Sequence, residues 1–290
     1  MDRLIISVLL AGLWTLFSMN TVSGDATASA PGIVLSSGAE GDGYWNAGAR
    51  LQSVADDMDF AVENLPSAGS LENLDKLLDA DSPVNLAFAQ ADAAQHYLNR
   101  HQKALSKLDL LENIGQECVF IVTGIDSDIR TDEDLQAATN LRLGIASPAS
   151  GIAVTFAYMV SQIPEMADIK VSYGDTLAVM DQLNARNASV DAVMMVHRPR
   201  DQSAEVEYAL ANANRYRFVE LSDERFTQEM WNGRKIYSTM NLALPGSDTP
   251  LKTVCVQGLL LANKHKLSID QRNKLTDLVS YHWMQVYATQ

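Results

Sequence analysis

The polar residues of this sequence that could do chemistry gather in three small-residue turns and one basic pair. Ser37-Gly38 begins the run Ser37-Gly38-Ala39-Glu40-Gly41-Asp42-Gly43, directly after the apolar Ile33-Val34-Leu35. Gly69-Ser70 precedes Leu71-Glu72-Asn73, and Gln90-Ala91-Asp92 follows an apolar run. Ser150-Gly151 precedes another apolar run that carries Thr155, and His197-Arg198-Pro199 follows the apolar stretch 190–196. Two chemistries fit these residue types. Hydroxyls and backbone N–H groups at helix starts can hold a polar or anionic solute without a lysine. A serine such as Ser37, Ser70 or Ser150 paired with His197 would make a nucleophile and its base, as in a secreted hydrolase.

The elements that must position these residues are legible from periodicity. Residues 33–36, 84–89, 141–146, 170–174 and 190–196 read as strands, and each delivers a polar residue into a turn. Helices are expected after the turns, one opening at Tyr44-Trp45 and one carrying Leu71, Leu74, Leu77 and Leu78 on a single face. Another starts at Asp92, with Ala93, Ala94, Tyr97, Leu98, His101 and Leu105 facing a core. After Ser150, Ile152, Phe156, Met159, Val160 and Ile163 form an apolar stripe. Strands are also expected over 117–124, 217–220 and 254–262, and helices over 203–212, 223–231 and 268–287. Strand-to-helix turns of parallel sheets are where small ligands bind.

Several families of chemistry are unsupported. Gly41-x-Gly43 follows a strand, but Asn46 stands where a dinucleotide-binding fingerprint needs its third glycine, and Glu40 and Asp42 would repel a pyrophosphate. No histidine pair has metal-ligand spacing on a helix, there is no G-x-S-x-G elbow, and Cys118 and Cys255 do not form C-x-x-C. No metal and no cofactor are expected. With 22 basic against 36 acidic residues the formal charge is −14, which argues against nucleic acid or an anionic membrane surface as partner.

Arg3, the apolar run 4–17 and the small-residue zone ending at Gly24 read as a secretory signal peptide over residues 1–24; the other reading is an uncleaved anchor. In an oxidising compartment the two cysteines could pair or remain buried thiols. Tyr44 and Trp45 could wall a pocket or pack a core. Arg198 could meet a ligand carboxylate through its planar fork or lie on the surface.

The segment 62–92 resembles the TAXI-type solute-binding proteins of TRAP transporters. That family has a Thr/Ser-x-Gly-Ser-x-Glu-Asn helix start followed by a strand ending in Gln-x-Asp; here these are Ser67, Gly69, Ser70, Glu72 and Asn73, then Gln90 and Asp92. The first loop is similar to the family's Thr-Gly-x-x-Gly-x-Tyr-Tyr, through Ser37, Gly38, Gly41, Gly43, Tyr44 and Trp45. Ser150-Gly151 and Thr155 match a Ser-Gly-Thr helix start with a further Thr, although Ile152 stands where a hydroxyl is usual. Asp191-Ala192-Val193 and Pro199 match a later strand and turn, with His197 in place of a glycine. The resemblance covers nearly all of 33–290.

It implies an α/β, two-lobed periplasmic binding protein fold of type II, with lobe one formed by 31–120 plus 250–290 and lobe two by 121–249. Crossover strands are expected near 117–124 and 245–258. It implies a monomer in the periplasm that takes a small solute, an amino acid such as glutamate or a small carboxylate, and hands it to TRAP-type membrane subunits driven by an ion gradient, with no catalysis. The expected ligand residues are Ser37, Gly38, Tyr44, Ser70, Asn73, Gln90, Ser150, Gly151, Thr155 and Arg198. A two-lobed ligand sensor for a signalling partner is the remaining alternative.

Overall fold

A computed structural model describes residues 32–199, 203–227, 229 and 235–287. The segment 1–24, expected to be a signal peptide, lies outside them. In chain order the elements are β1 (Ile33–Ser36), α1 (Gly43–Asp57), β2 (Val62–Leu65), α2 (Ser70–Leu78), β3 (Leu86–Gln90), α3 (Ala91–Arg100) and the long β4 (Leu108–Gly124). Then come α4 (Asp132–Ala137), β5 (Arg142–Ile145), α5 (Gly151–Gln162), β6 (Lys170–Tyr173), α6 (Thr176–Met180), β7 (Ala192–His197) and α7 (Ala204–Ala211). The chain closes with β8 (Tyr216–Phe218), β9 (Tyr237–Leu242), β10 (Leu251–Asn263) and α8 (Ile269–Tyr287).

These strands join one mixed sheet of order β2-β1-β3-β10-β4-β7-β5-β6, with β8 on β4 and β9 on β10. At one end β1 lies parallel between β2 and β3; at the other, β5 lies parallel between β6 and β7. Parallel strands are covered on both faces and are therefore apolar throughout. All of β1 and β3 is buried, and so are the first four residues of β7.

Two long antiparallel strands link the ends. β10 pairs with β9 through 251–256, with β3 through 258–262 and with β4 through 255–263. The last residues of β4 in turn pair with β7 and β8. Cys118 and Cys255 are register partners on this pair, with Cα atoms 3.9 Å apart, and they form a disulfide. Directly opposed antiparallel residues come close enough for a bridge only where the side chains lean together, which this register provides.

Most expected elements appear within a residue or two. Four differences have physical causes. Residues 108–116 continue β4, although Asp109, Glu112, Asn113 and Gln116 make them look like loop; pairing with β10 supplies the hydrogen bonds that propensity does not. β9 was hidden in the same way, being held by β10. α3 ends at Arg100, so Leu105 falls in a following 3₁₀ stretch (Gln102–Lys107) and is 38% exposed rather than in the core. The helix expected over 223–231 is only a 3₁₀ turn at Glu224–Phe226 where the chain is described; 228, 230 and 231 lie outside. Among the described residues no helix is long and apolar enough to cross a membrane.

Candidate functional site

The ends of β1, β3 and β7 and the starts of α1, α2 and α5 surround a cavity of about 310 Å³. Its shape follows from the turns. Gly69 holds φ at +134°, a region L-residues avoid, so the chain can leave β2 and enter α2. The Glu72 carboxylate accepts from the Ala68 N–H at 2.7 Å and the Ser70 hydroxyl from the Gln90 N–H at 3.1 Å, tying the α2 start to the end of β3. Ser150 caps α5, accepting from the Ala153 N–H at 3.3 Å while donating to the Ser147 carbonyl at 2.7 Å. The two helix starts touch: a Cβ on Gly151 would lie 2.4 Å from Oε1 of Gln90, and one on Gly69 would lie 3.4 Å from the Gly151 nitrogen. Only glycine at 151 lets β3 and α5 approach this closely.

Of the ten expected ligand residues, Gly38, Tyr44, Ser70, Gln90, Ser150, Gly151 and Arg198 line the cavity. Ser37, Asn73 and Thr155 do not. Ser37 is buried and donates its hydroxyl to the Leu65 carbonyl, joining β1 to β2. Asn73 is fully buried: its amide donates to the carbonyls of Ser37 (2.6 Å) and Phe88 (2.8 Å), and its oxygen accepts from the Ser36 hydroxyl. It therefore pins α2 to β1 and β3 from beneath, because a buried amide must have its hydrogen bonds met and three backbone segments supply them. Thr155, one turn into α5, is also fully buried and sits beside the carboxyl of Asp92. That carboxyl, the last residue of the Gln-x-Asp match, accepts from the Tyr237 hydroxyl of β9 at 2.8 Å and is pushed up in pKa by burial. Asp191 likewise serves the scaffold, through a two-pronged ion pair with Arg142 at 2.7 and 3.0 Å.

Three acidic residues of the cavity were not anticipated as ligand residues. Glu117 lies on β4 beside the disulfide; its Oε2 accepts from Gln90 Nε2 at 2.8 Å, and Tyr44 and Arg198 lie against it. Burial pushes its pKa up to about 7, opposed by the Gln90 hydrogen bond and the Arg198 charge. Asp42 and Glu205 also line the cavity with His197, whose Nε2 lies 3.6 Å from Glu205 and whose charge acts on Asp42. Burial raises the Asp42 pKa and His197 opposes the rise. One signal for Glu117 was available: it is an acid at the start of the otherwise apolar run 118–122. Tyr44 stacks at a tilt on Phe88, ring centres 5.5 Å apart, so it serves as both pocket wall and core.

The serine–histidine chemistry is not assembled. The hydroxyls of Ser37, Ser70 and Ser150 are each engaged with main chain, and His197 faces Glu205. Among the described residues no group of His, Cys, Asp and Glu could hold a metal ion. What the arrangement can do is enclose a small molecule between polar walls from the two parallel ends of the sheet.

This architecture is the periplasmic binding protein fold, two-lobed with a cleft between the lobes. Solved structures show the same fold. One is a Candida albicans gene product described as exhibiting the generic periplasmic binding protein fold, 12% identical over 89% of this chain and 72% of that one, with a TM-score of 0.50. A periplasmic sulfonate-binding protein of a sulfonate ABC transporter from Methylobacillus flagellatus is 12% identical over 88% of this chain and 67% of that one, TM-score 0.50. A Xanthomonas citri protein bound to ATP is 9% identical over 89% and 88%, TM-score 0.51. No protein-family profile and no curated protein sequence matches the chain. At such identities the likeness concerns the fold, and the ligand must be argued from the cavity.

Proposed function

We propose that the chain is an extracytoplasmic solute-binding protein that captures a small amino acid or carboxylate for a membrane transporter. The observation that carries this reading is the cavity itself, closed by helix starts from both parallel ends of the sheet and lined by Ser70, Gln90, Gly151 and Arg198. Lobe one would comprise 31–120 plus 250–290 and lobe two 121–249, a division supported by the two long strands that pass between the parallel ends. Helix N-termini and neutral donors can hold a polar group yet release it when lobes part. The resemblance to TAXI-type proteins of TRAP transporters, glutamate binders among them, supports an ion-gradient-driven partner, a periplasmic monomer and cleavage of the leader near Gly24. A sensor using the same fold would show the same binding, and a sensor kinase encoded alongside would favour it.

A thermal-shift screen over amino acids and organic acids tests the proposal, because a solute that binds only the folded chain raises its melting temperature. Ser150→Ala should then weaken the best binder about tenfold, because Ser150 lines the cavity and its cap fixes the start of α5. Absence of any stabilising solute would overturn the reading, and turnover of chromogenic esters would restore the hydrolase.

A further inference from the structure

We infer that the cavity selects a small zwitterion of zero net charge, its cationic amine received by Glu117 and its anionic group by Arg198. The inference rests on the solute-binding reading of the same cavity and narrows its ligand class.

The charges lining the cavity are unbalanced. Asp42, Glu117 and Glu205 are acids; Arg198 is the permanent cation among the described lining residues, and His197 is charged only when protonated. A dicarboxylate would bring two negative charges to one guanidinium and three acids, in surroundings where Coulomb forces are poorly screened. Arg198 offers a planar fork suited to one carboxylate. It is 7% exposed, so that contact would be made deep in the molecule.

The acceptors point the same way. Glu117 takes a hydrogen bond from Gln90 through Oε2, and a carboxylate has room for several more donors. Beside it, Gln90 is 4% exposed and its Oε1 has no hydrogen-bond partner among the described residues. The amide is placed with Nε2 on the Glu117 carboxyl, the orientation its charged form requires, since turning it would set oxygen against a carboxylate. Two neighbouring acceptors on one wall call for a group rich in donors, and an ammonium has three. Burial holds the Glu117 carboxyl partly protonated near neutrality. Gln90 of β3, Asp92 of α3, Tyr44 of α1 and Arg198 after β7 are the groups that set this balance. A bound ammonium would return Glu117 to its charged form, so capture would release a proton. Ile152 and Val196 give the remaining wall an apolar surface, suited to a neutral side chain.

The experiment is isothermal titration of the full chain lacking only its leader, near neutral pH, with matched probes: glycine, L-alanine, L-valine and L-leucine against L-glutamate and succinate, with propanoate and isobutylamine as half-ligands. At least one neutral amino acid should bind about tenfold or more tightly than L-glutamate, succinate and either half-ligand. Glu117→Gln keeps an acceptor for Gln90 and should lose about tenfold or more for that amino acid without weakening propanoate. Tighter binding of glutamate or succinate than of every neutral amino acid would overturn the inference and leave the solute-binding reading standing. Unchanged zwitterion binding by folded Glu117→Gln would do the same. If no probe binds, both fall. Should Glu117→Gln fail to fold, the ranking of probes on the native chain decides.

Discussion

Glu117 makes the stability of the ligand-free protein depend on pH in a direction that a surface carboxylate would not. Burial raises its pKa from 4.5 to about 7, so the folded state holds a proton that the unfolded chain has released. The stabilising contribution is fully present below pH 4.5 and is lost as pH rises through about 7. A displacement of about 2.5 units corresponds to about 3 kcal/mol at 1.36 kcal/mol per unit, and solvent reaching the cavity lowers this to roughly 2 kcal/mol. Glu117→Gln removes the titration while preserving shape and the Gln90 contact. Urea unfolding of both proteins from about pH 5 to about pH 8 gives the difference directly, and titrations remote from Glu117 cancel in it. The native chain should lose roughly 2 kcal/mol relative to the variant across that window. A difference independent of pH, or one of opposite sign, would refute the argument that burial dominates at Glu117.

Four further outcomes are expected. Asn73→Ala should cost about 3 kcal/mol in urea unfolding, because the carbonyls of Ser37 and Phe88 and the Ser36 hydroxyl lose a buried partner, rather than acting on ligand binding alone. Gly151→Ala should displace Gln90, whose Oε1 lies 2.4 Å from the new Cβ, costing about 1–3 kcal/mol and weakening the best solute in titration. Tyr237→Phe removes a donor from the Asp92 carboxylate; the deficit, about 1–3 kcal/mol, should grow with rising pH, because Asp92 already has a raised pKa and the lost bond favoured its charged form. Alkylation of the unfolded chain should label no thiol before reduction, and Cys118 and Cys255 after it, as read by mass.

Apolar periodicity and small-residue turns determined much by themselves. The runs at 33–36 and 190–196 had to be strands, because parallel strands are covered on both faces. The Leu74–Leu77 spacing had to be a helix with one buried face, and Ser150 was legible as a cap because its hydroxyl acts within its own turn. These are local effects, read within a few residues. What the tertiary structure alone decided depends on partners far along the chain. The polar half of β4 became a strand only because β10 runs beside it, and that register also set Cys118 opposite Cys255. Asn73 and Thr155 share helix-start positions with Ser70 and Ser150, yet they face inward, since the packing of α2 on β1 and β3 and of α5 on α3 fixes which side of each helix is covered. Glu117 reached the cavity through the twist of a strand spanning both ends of the sheet. Its raised pKa comes from removal from water, opposed by Gln90 and Arg198, 27 residues before it and 81 after it, and no sequence spacing encodes that field.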